Sequence, residues 1–454
     1  MSDTLMVGVS GVRGIVGKDL TEDVVTRYAT AFGLWARERK PLVVVGRDAR
    51  KSGPAFEAAV VAGLASVGCD VVKVGLAPTP TIQLAVEHHR AGGGIAITAS
   101  HNPIEWNALK FIGPDGVFLD GADGTRVQKL AVEGVEGRGR AGKVETDNGA
   151  VARHLDRVLR LPGLAVAEIR AKQVRVALDA VRGAGGPIMR ALLERLGCEV
   201  AGIHLETDGE FPRAPEPVPE NLGELAGLVR RSGADLGFAV DPDGDRLAIV
   251  DERGEPIGED YTLAFAVRAV LGGEHGTGNG NRVVVCNLST SLVVEDAARE
   301  CGAEVVRTPV GEAHVARAIL RLAAVIGGEG NGGVIYPALH VGRDAPVAAA
   351  LALEWLARTG RPVSALVAAA PRYTIVKAKL PRGPALEPVY AALRRRYADA
   401  SADAQDGLRL AWGDRWLHVR PSNTEPIIRL IAEAPTRAEA ERLVDEGRQL
   451  CAAS

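Results

Sequence analysis

Leu42-Val-Val-Val-Gly46 is a short run of apolar β-formers, and the pattern that starts with it decides the fold. The run leads through a polar turn into a helix-compatible stretch that stops at the glycine of Val67-Gly-Cys-Asp-Val71. The same order returns in Val174-Arg-Val-Ala-Leu178 with Leu196-Gly-Cys-Glu-Val200, and again in Val283-Val-Val-Cys286 with Cys301-Gly-Ala-Glu-Val305. Strand, loop, helix, glycine stop and next strand make a β-α-β unit. Three such units predict three related α/β domains in tandem. Beyond residue 370 the pattern breaks. Residues 412–419 and 427–432 read as paired strands, and 438–450 as an amphipathic helix with Ala440, Leu443 and Val444 on its apolar face. A smaller α+β fourth domain is therefore expected. The expected division is 1–147, 148–251, 252–368 and 369–454, with linkers near 142–150, 251–258 and 368–372.

Composition narrows the function. A chain of 454 residues exceeds what one hydrophobic core holds, in keeping with several domains. A net charge of −3 speaks against a broad nucleic-acid or anionic-membrane surface, so phosphate recognition has to come from local arginines and loops. Cys69, Cys198, Cys286, Cys301 and Cys451 lack metal-binding spacing and fit buried thiols of a reducing compartment. No apolar run reaches membrane-spanning length, and Met1-Ser-Asp-Thr4 lacks the plan of a signal peptide. The expectation is a cytoplasmic protein with neither nucleic acid nor membrane as partner.

Six polar loops interrupt the apolar pattern. Asp241-Pro-Asp-Gly-Asp-Arg246 places three carboxylates at alternate positions between two short apolar runs, 235–240 and 247–250. Like charges so close repel unless a cation shares them, and a few oxygen ligands with open positions suit Mg²⁺. A calcium loop fits less well, because Arg246 stands where its sharp turn needs glycine. Arg246 is placed to meet an anion beside the metal. Thr98-Ala-Ser-His-Asn-Pro103 follows a buried strand, and Pro103 holds Asn102 away from helical geometry. Ser100 thus sits on a constrained strand-end loop, where α/β proteins build sites, although a plain Ser/Asn turn is the simpler reading. The Ser100–His101 pair does not mark a hydrolase, since no G-x-S-x-G elbow is present. Lys110 lies in the otherwise apolar Glu105-Trp-Asn-Ala-Leu-Lys-Phe111, in a chain that favours arginine. Gly327-Gly-Glu-Gly-Asn-Gly-Gly333 has too many glycines for a regular element, and Glu329 and Asn331 offer acceptors to sugar hydroxyls. Arg420-Pro-Ser-Asn-Thr-Glu-Pro426 gathers donors suited to a phosphate in Arg420, Ser422, Asn423 and Thr424, with Arg429 beyond. Ser10-Gly-Val-Arg-Gly14 offers Arg13, and Gly46-Arg-Asp-Ala-Arg50 follows the first repeat strand.

Together these loops resemble the α-D-phosphohexomutase superfamily over essentially the whole chain. Residues 98–103 are similar to its phosphoserine loop, 241–246 to its magnesium loop, 328–333 to its sugar-recognition loop and 420–426 to its phosphate-binding loop. The resemblance implies three tandem related α/β domains with mixed sheets and a smaller C-terminal α+β domain around a central cleft. It implies interconversion of hexose 6-phosphate and hexose 1-phosphate through a phosphorylated Ser100, with a hexose 1,6-bisphosphate as intermediate and activator. One Mg²⁺ would lie between Ser100, Asp241, Asp243 and Asp245. Lys110 and Arg13 would move the proton at the sugar hydroxyl, His101 would support the serine loop, and Arg246 would offset phosphoryl charge. Glu329 and Asn331 would orient the sugar, and Arg420, Ser422, Asn423, Thr424 and Arg429 would grip the second phosphate. Many members have Ser and His where this chain has Asn331 and Gly333. In motif detail the chain is most similar to the archaeal-type phosphoglucosamine mutase branch, with a phosphomannomutase/phosphoglucomutase of broad specificity as the alternative. A metal-dependent sugar phosphatase and a non-catalytic sugar-phosphate binder are the competing classes. The partner would be a phosphosugar, and the assembly a monomer or homodimer.

Overall fold

The computed structural model describes residues 5–134, 142–273, 281–381, 386–422 and 427–452. The first three domains share one four-strand plan. A first strand (Leu42–Arg47, Arg175–Asp179, Val283–Asn287) lies parallel to a second (Asp70–Leu76, Glu199–Ile203, Glu304–Thr308). On its other side it lies parallel to a third (Gly93–Ile97, Leu236–Val240, Ile326–Glu329). The helices Gly53–Ser66, Gly186–Arg195 and Leu292–Glu300 make the first crossover, and Thr79–His89, Gly223–Ser232 and Glu312–Leu322 the second. Each third strand then folds back as an antiparallel hairpin with a fourth (Trp106–Ile112, Leu247–Val250, Gly333–Ile335), so the sheets are mixed.

Two local expectations need correction. The sequence predicts a linker over 142–150, yet Val144–Thr146 adds a parallel strand to the first sheet beside Asp70–Leu76. Gly142 serves packing there, because a Cβ would overlap the Cys69 carbonyl. The run 327–333 is not irregular throughout either: Ile326–Glu329 and Gly333–Ile335 are strands. A Cβ at Gly327 would overlap the Val285 carbonyl, and one at Gly328 the Gly333 carbonyl. Close approach of neighbouring backbones, not turn flexibility, accounts for these glycines.

The first sheet also gains Met6–Gly8 and Gly11–Ile15 and has seven strands. The fourth domain is a five-stranded antiparallel sheet in the order Thr374–Pro381, Ile427–Ala434, Trp416–Pro421, Leu408–Ala411, Ser401–Asp403. Helix Arg437–Ala452 packs on it through buried Ala440, Leu443 and Val444. The second and third domains share a continuous apolar core that includes Ile188, Phe238, Phe265, Val294 and Leu351, whereas Phe32, Trp35 and Phe111 belong to a separate core in the first. One buried polar node joins all three. The Thr81 hydroxyl lies 2.8 Å from His154 Nδ1, His154 Nε2 lies 2.8 Å from Asp344 Oδ2, and His340 Nε2 reaches the same oxygen at 3.0 Å. Burial pushes the Asp344 carboxyl up, but the two imidazoles outweigh it and hold the group well below the usual range. The described cysteines are all free, and Cys69, Cys198 and Cys286 are buried. Among the described residues, no helix is long and apolar enough to cross a membrane.

Candidate active site

The repeat puts chemistry at one recurring place. The segments 98–105, 241–246 and 330–332 are each the connection between the third and fourth strands of a domain, so all three are tips of equivalent hairpins. Each tip is braced by a polar residue at the end of its own first strand. Asp48 Oδ2 accepts from the Thr98 hydroxyl at 2.6 Å. Asp179 Oδ2 accepts from Arg213 Nε at 2.7 Å, and Arg213 in turn donates to the Val240 carbonyl at 3.1 Å. Asn287 Nδ2 donates to Glu329 Oε1 at 2.9 Å.

Ser100 is held at a φ of 48°, a left-handed conformation uncommon for a residue with a Cβ. Its N–H donates to the Thr98 hydroxyl at 2.9 Å. The loop is fastened by Arg50, which has no solvent exposure and uses every N–H it has. Nη2 donates to the carbonyls of Ser100 and Asn102, both at 2.7 Å, Nη1 to those of Pro103 at 2.7 Å and Trp106 at 2.9 Å, and Nε to Asp48 at 3.1 Å. Arg13, on the adjoining strand, donates to Asn102 Oδ1 at 2.6 Å. Among the described residues His101 Nδ1 has no hydrogen-bond partner, and Nε2 lies 3.9 Å from Glu216. Burial first, then the positive charges of Arg246 and Arg13, push the His101 imidazole well below its ordinary range, so the ring is neutral.

The Ser100 hydroxyl donates across the domain boundary to Asp241 Oδ2 at 2.8 Å. Asp241, Asp243 and Asp245 are all buried, and each has a carboxylate oxygen within 4.8 Å of the others'. Burial and then its two acidic neighbours raise the Asp241 carboxyl well above its usual value. Asp243 moves the opposite way: burial is outweighed by Lys110, which donates to Oδ2 at 2.7 Å, with the Thr79 hydroxyl on the same oxygen at 2.7 Å. Lys110 Nζ also lies 3.7 Å from Asp245, and the two carboxylates outweigh burial and raise its pKa, which keeps it an ammonium. Asp243 Oδ1 and Asp245 Oδ1 are buried with no hydrogen-bond partner among the described residues. Buried carboxylate oxygens without hydrogen bonds, in a cluster of three aspartates, are what a hard divalent cation needs, so the residues fit the metal. Arg246 N–H donates to Asp241 Oδ1 at 3.2 Å, while its guanidinium reaches Glu216 at 3.3 Å.

Glu329 is buried on the third tip. Its Oε1 accepts from Asn287 at 2.9 Å and from Gly311 N–H at 3.0 Å, and Oε2 accepts from Arg343 at 2.9 Å and from Asn331 at a long 3.4 Å. The fourth domain meets this region through Asp406. That carboxylate accepts from Val310 N–H at 3.1 Å and from Arg420 Nε at 2.8 Å. Arg420 Nη2 is buried with no hydrogen-bond partner among the described residues, as a group awaiting an anion would be. Ser422 is buried, and its hydroxyl lies 3.4 Å from Arg429 Nε. Asn423 and Thr424 lie outside the described residues. The structure thus brings Ser100, His101, Arg13, Lys110, Arg246 and the three aspartates together, and links Glu329 to them through Arg343.

Sequence reading passed over Thr79, Glu312 and Arg343, and it named the loop of Arg50 without giving that residue a role. Arg50 was within reach, since its motif follows the first repeat strand. Arg343 carries no local signal, because its partners come from three other segments.

Family models of phosphoglucomutase/phosphomannomutase match the chain in order: domain I over residues 4–135, domain II over 152–254, domain III over 258–373 and the C-terminal domain over 375–450. A Methanopyrus kandleri protein named "Probable phosphoglucosamine mutase" is 38% identical over 97% of this chain and 96% of its own length. A Thermococcus kodakarensis "Phosphoglucomutase/phosphomannomutase" is 37% identical over 98% of both chains. The crystal structure of a phosphoglucomutase/phosphomannomutase family protein from Burkholderia thailandensis superposes with a TM-score of 0.86 at 29% identity, covering 99% of this chain and 98% of that one. Matched end to end by these domains and relatives, the chain belongs to the phosphoglucomutase/phosphomannomutase family of the α-D-phosphohexomutase superfamily and is an isomerase of the phosphohexomutase type.

Proposed function

We propose that the protein interconverts the 6- and 1-phosphates of a hexose through a phosphorylated Ser100, with glucosamine phosphate as preferred substrate. The observation that carries this reading is the Ser100 hydroxyl, 2.8 Å from the first of three clustered buried aspartates. A sugar hydroxyl oxygen attacks the phosphorus on Ser100, the Oγ–P bond breaks, and hexose 1,6-bisphosphate forms. After the bisphosphate reorients, Ser100 Oγ attacks the other phosphorus, the second sugar O–P bond breaks, and the phosphoserine is restored. Lys110, with Arg13 beside it, would take the proton that leaves the sugar hydroxyl in the first transfer and return it to the sugar oxygen in the second. It does so as a neutral amine, its ammonium having first given a proton to solvent once Asp243 and Asp245 share their charge with the cation they would hold. Asp241, Asp243, Asp245 and the Ser100 phosphate would hold Mg²⁺, which when bound offsets charge on the transferring phosphoryl group. Arg246 faces the same anion, and neutral His101 supports the loop without adding charge.

Glu329 and Asn331 orient the sugar ring. Arg420, Ser422 and Arg429, with Asn423 and Thr424, grip the phosphate that is not reacting. The division into domains at 147, 251 and 368 assigns one of these loops to each domain. The glucosamine reading draws support from the name of the Methanopyrus kandleri relative and from Asn331 and Gly333 in the sugar loop. The name of the Thermococcus kodakarensis relative supports a second reading, a phosphomannomutase/phosphoglucomutase of broad specificity.

The test is intact-mass analysis of purified protein before and after hexose 1,6-bisphosphate, paired with kcat/KM for glucosamine, glucose and mannose phosphates. We expect phosphate on Ser100, its loss with turnover in Ser100→Ala, and the highest kcat/KM for glucosamine phosphate. Unmodified Ser100 with phosphate release outpacing isomerisation would point to a phosphatase instead.

A further inference from the structure

Arg343 stands where the metal loop of the second domain meets the sugar loop of the third. Its Nη2 donates to Asp245 Oδ2 at 2.6 Å and its Nη1 to Glu329 Oε2 at 2.9 Å. Nε lies 3.1 Å from Glu312 Oε2, and its own N–H donates to Glu312 Oε1 at 3.1 Å. The residue is 6% exposed and thus serves three buried carboxylates at once. Its stem passes over Gly333, where a Cβ would overlap Arg343 Cδ. The backbone is fixed on both sides: Arg343 bridges Ile335, and Asp344 N–H donates to the Val334 carbonyl at 2.9 Å.

We propose that Arg343 is a positioning residue that couples the metal site to sugar recognition, and that Gly333 is present to give it room. This rests on Glu329 being a sugar contact and the aspartates being the metal ligands. The Oε1 atom of Glu329 is filled by Asn287 and Gly311. Arg343 takes one lone pair of Oε2, which leaves the long Asn331 contact as the one a sugar hydroxyl can replace. The same guanidinium fixes Asp245 Oδ2, which leaves Oδ1, 3.8 Å from Arg246 Nε and without a hydrogen bond among the described residues, as the oxygen that would meet the cation. A planar fork can serve two carboxylates in fixed directions where a lysine ammonium cannot.

Three variants test this in the full chain: Arg343→Lys, which keeps the charge; Gly333→Ala, which keeps every charged group and displaces the fork; and Glu329→Gln. Readouts are KM and kcat for the hexose phosphate, Mn²⁺ affinity of the unphosphorylated protein by titration, and the melting temperature. Arg343→Lys and Gly333→Ala should each raise KM and weaken Mn²⁺ binding by roughly tenfold or more, the worth of one hydrogen bond to a charged group. The KM effects of Arg343→Lys and Glu329→Gln should not add in the double variant. Arg343→Lys within twofold of wild type in both KM and Mn²⁺ affinity overturns the proposal, as do additive KM effects. A silent Glu329→Gln instead overturns the sugar-contact reading, and Mn²⁺ affinity still reports on Arg343 in that case. Should Gly333→Ala fail to fold, Arg343→Lys and the cycle decide.

Discussion

Arg50→Lys is the sharpest perturbation of the serine loop. Arg50 presents five N–H donors to five acceptors, four of them carbonyls of residues 100, 102, 103 and 106, and the fifth Asp48. Lysine keeps the charge but brings three donors at one point, so at least two acceptors lose their partner in a region closed to water. Each orphaned buried acceptor costs about 1–3 kcal/mol, which gives about 2–6 kcal/mol in total. For a chain of 454 residues melting as one unit, that lowers the melting temperature by about 2–6 °C. Turnover should fall further than stability implies, because a shift of about 1 Å at the nucleophile costs roughly 100-fold in rate. The assay is a thermal melt and a steady-state rate, with Lys51→Ala as a control in the same turn; Lys51 is exposed and pairs with Glu210 at the surface, where such contacts contribute little. If Arg50→Lys melts within 1 °C of wild type and keeps its rate, within roughly the error of such assays, the clamp is not what holds Ser100.

Two further outcomes follow from buried carboxylates. Asp260 is raised to about 8 by burial, partly offset by the N–H of Ser291, from an ordinary value of 3.8. An acid raised in the folded state leaves stability intact below its unfolded pKa and erodes it as pH climbs through the folded one, so the cost grows from pH 4 to pH 8. At pH 7 it amounts to about 4 kcal/mol, and Asp260→Asn should therefore melt higher at neutral pH, with the gain fading near pH 4. Equal melting temperatures across that range would contradict the assignment. Mg²⁺ or Mn²⁺ added to chelator-treated protein at about a hundred times its Kd should stabilise it by about 2.7 kcal/mol, a rise of about 3 °C. Asp243→Asn should abolish the rise, and a metal-insensitive melt of the wild type would remove the aspartates as a site.

What could be read in advance depended on whether a signal was local. The β-α-β order of apolar runs and glycine stops is local, and it predicted the first three domains. Asp241, Asp243 and Asp245 are legible because their charges are adjacent in the chain and need a cation wherever they fold. The third and fourth strands of the third domain, Ile326–Glu329 and Gly333–Ile335, are hidden in the glycine run at 327–333, since Gly327 and Gly332 answer to the backbones of Val285 and Leu247, far away in sequence. Arg343 was missed for a related reason: Asp245 is 98 positions distant and Glu312 is 31. Lys110 sits between these cases, visible as an odd charge in an apolar strand but silent about its partner, Asp243.

The shape of each hairpin tip is set inside its own domain by Asp48, Asp179 or Asn287, yet Ser100 meets Asp241, and Lys110 and Thr79 meet Asp243, only across the seam between the first and second. Alignment and folding are thus separable properties. A slight slippage of the first domain past the second would misregister phosphoryl donor and aspartates while every loop kept its form. Thr81, His154, Asp344 and His340 act as the dowel against such slippage. Damage to that dowel would yield a well-folded but slow enzyme, with the lesion lying outside every loop that does the chemistry.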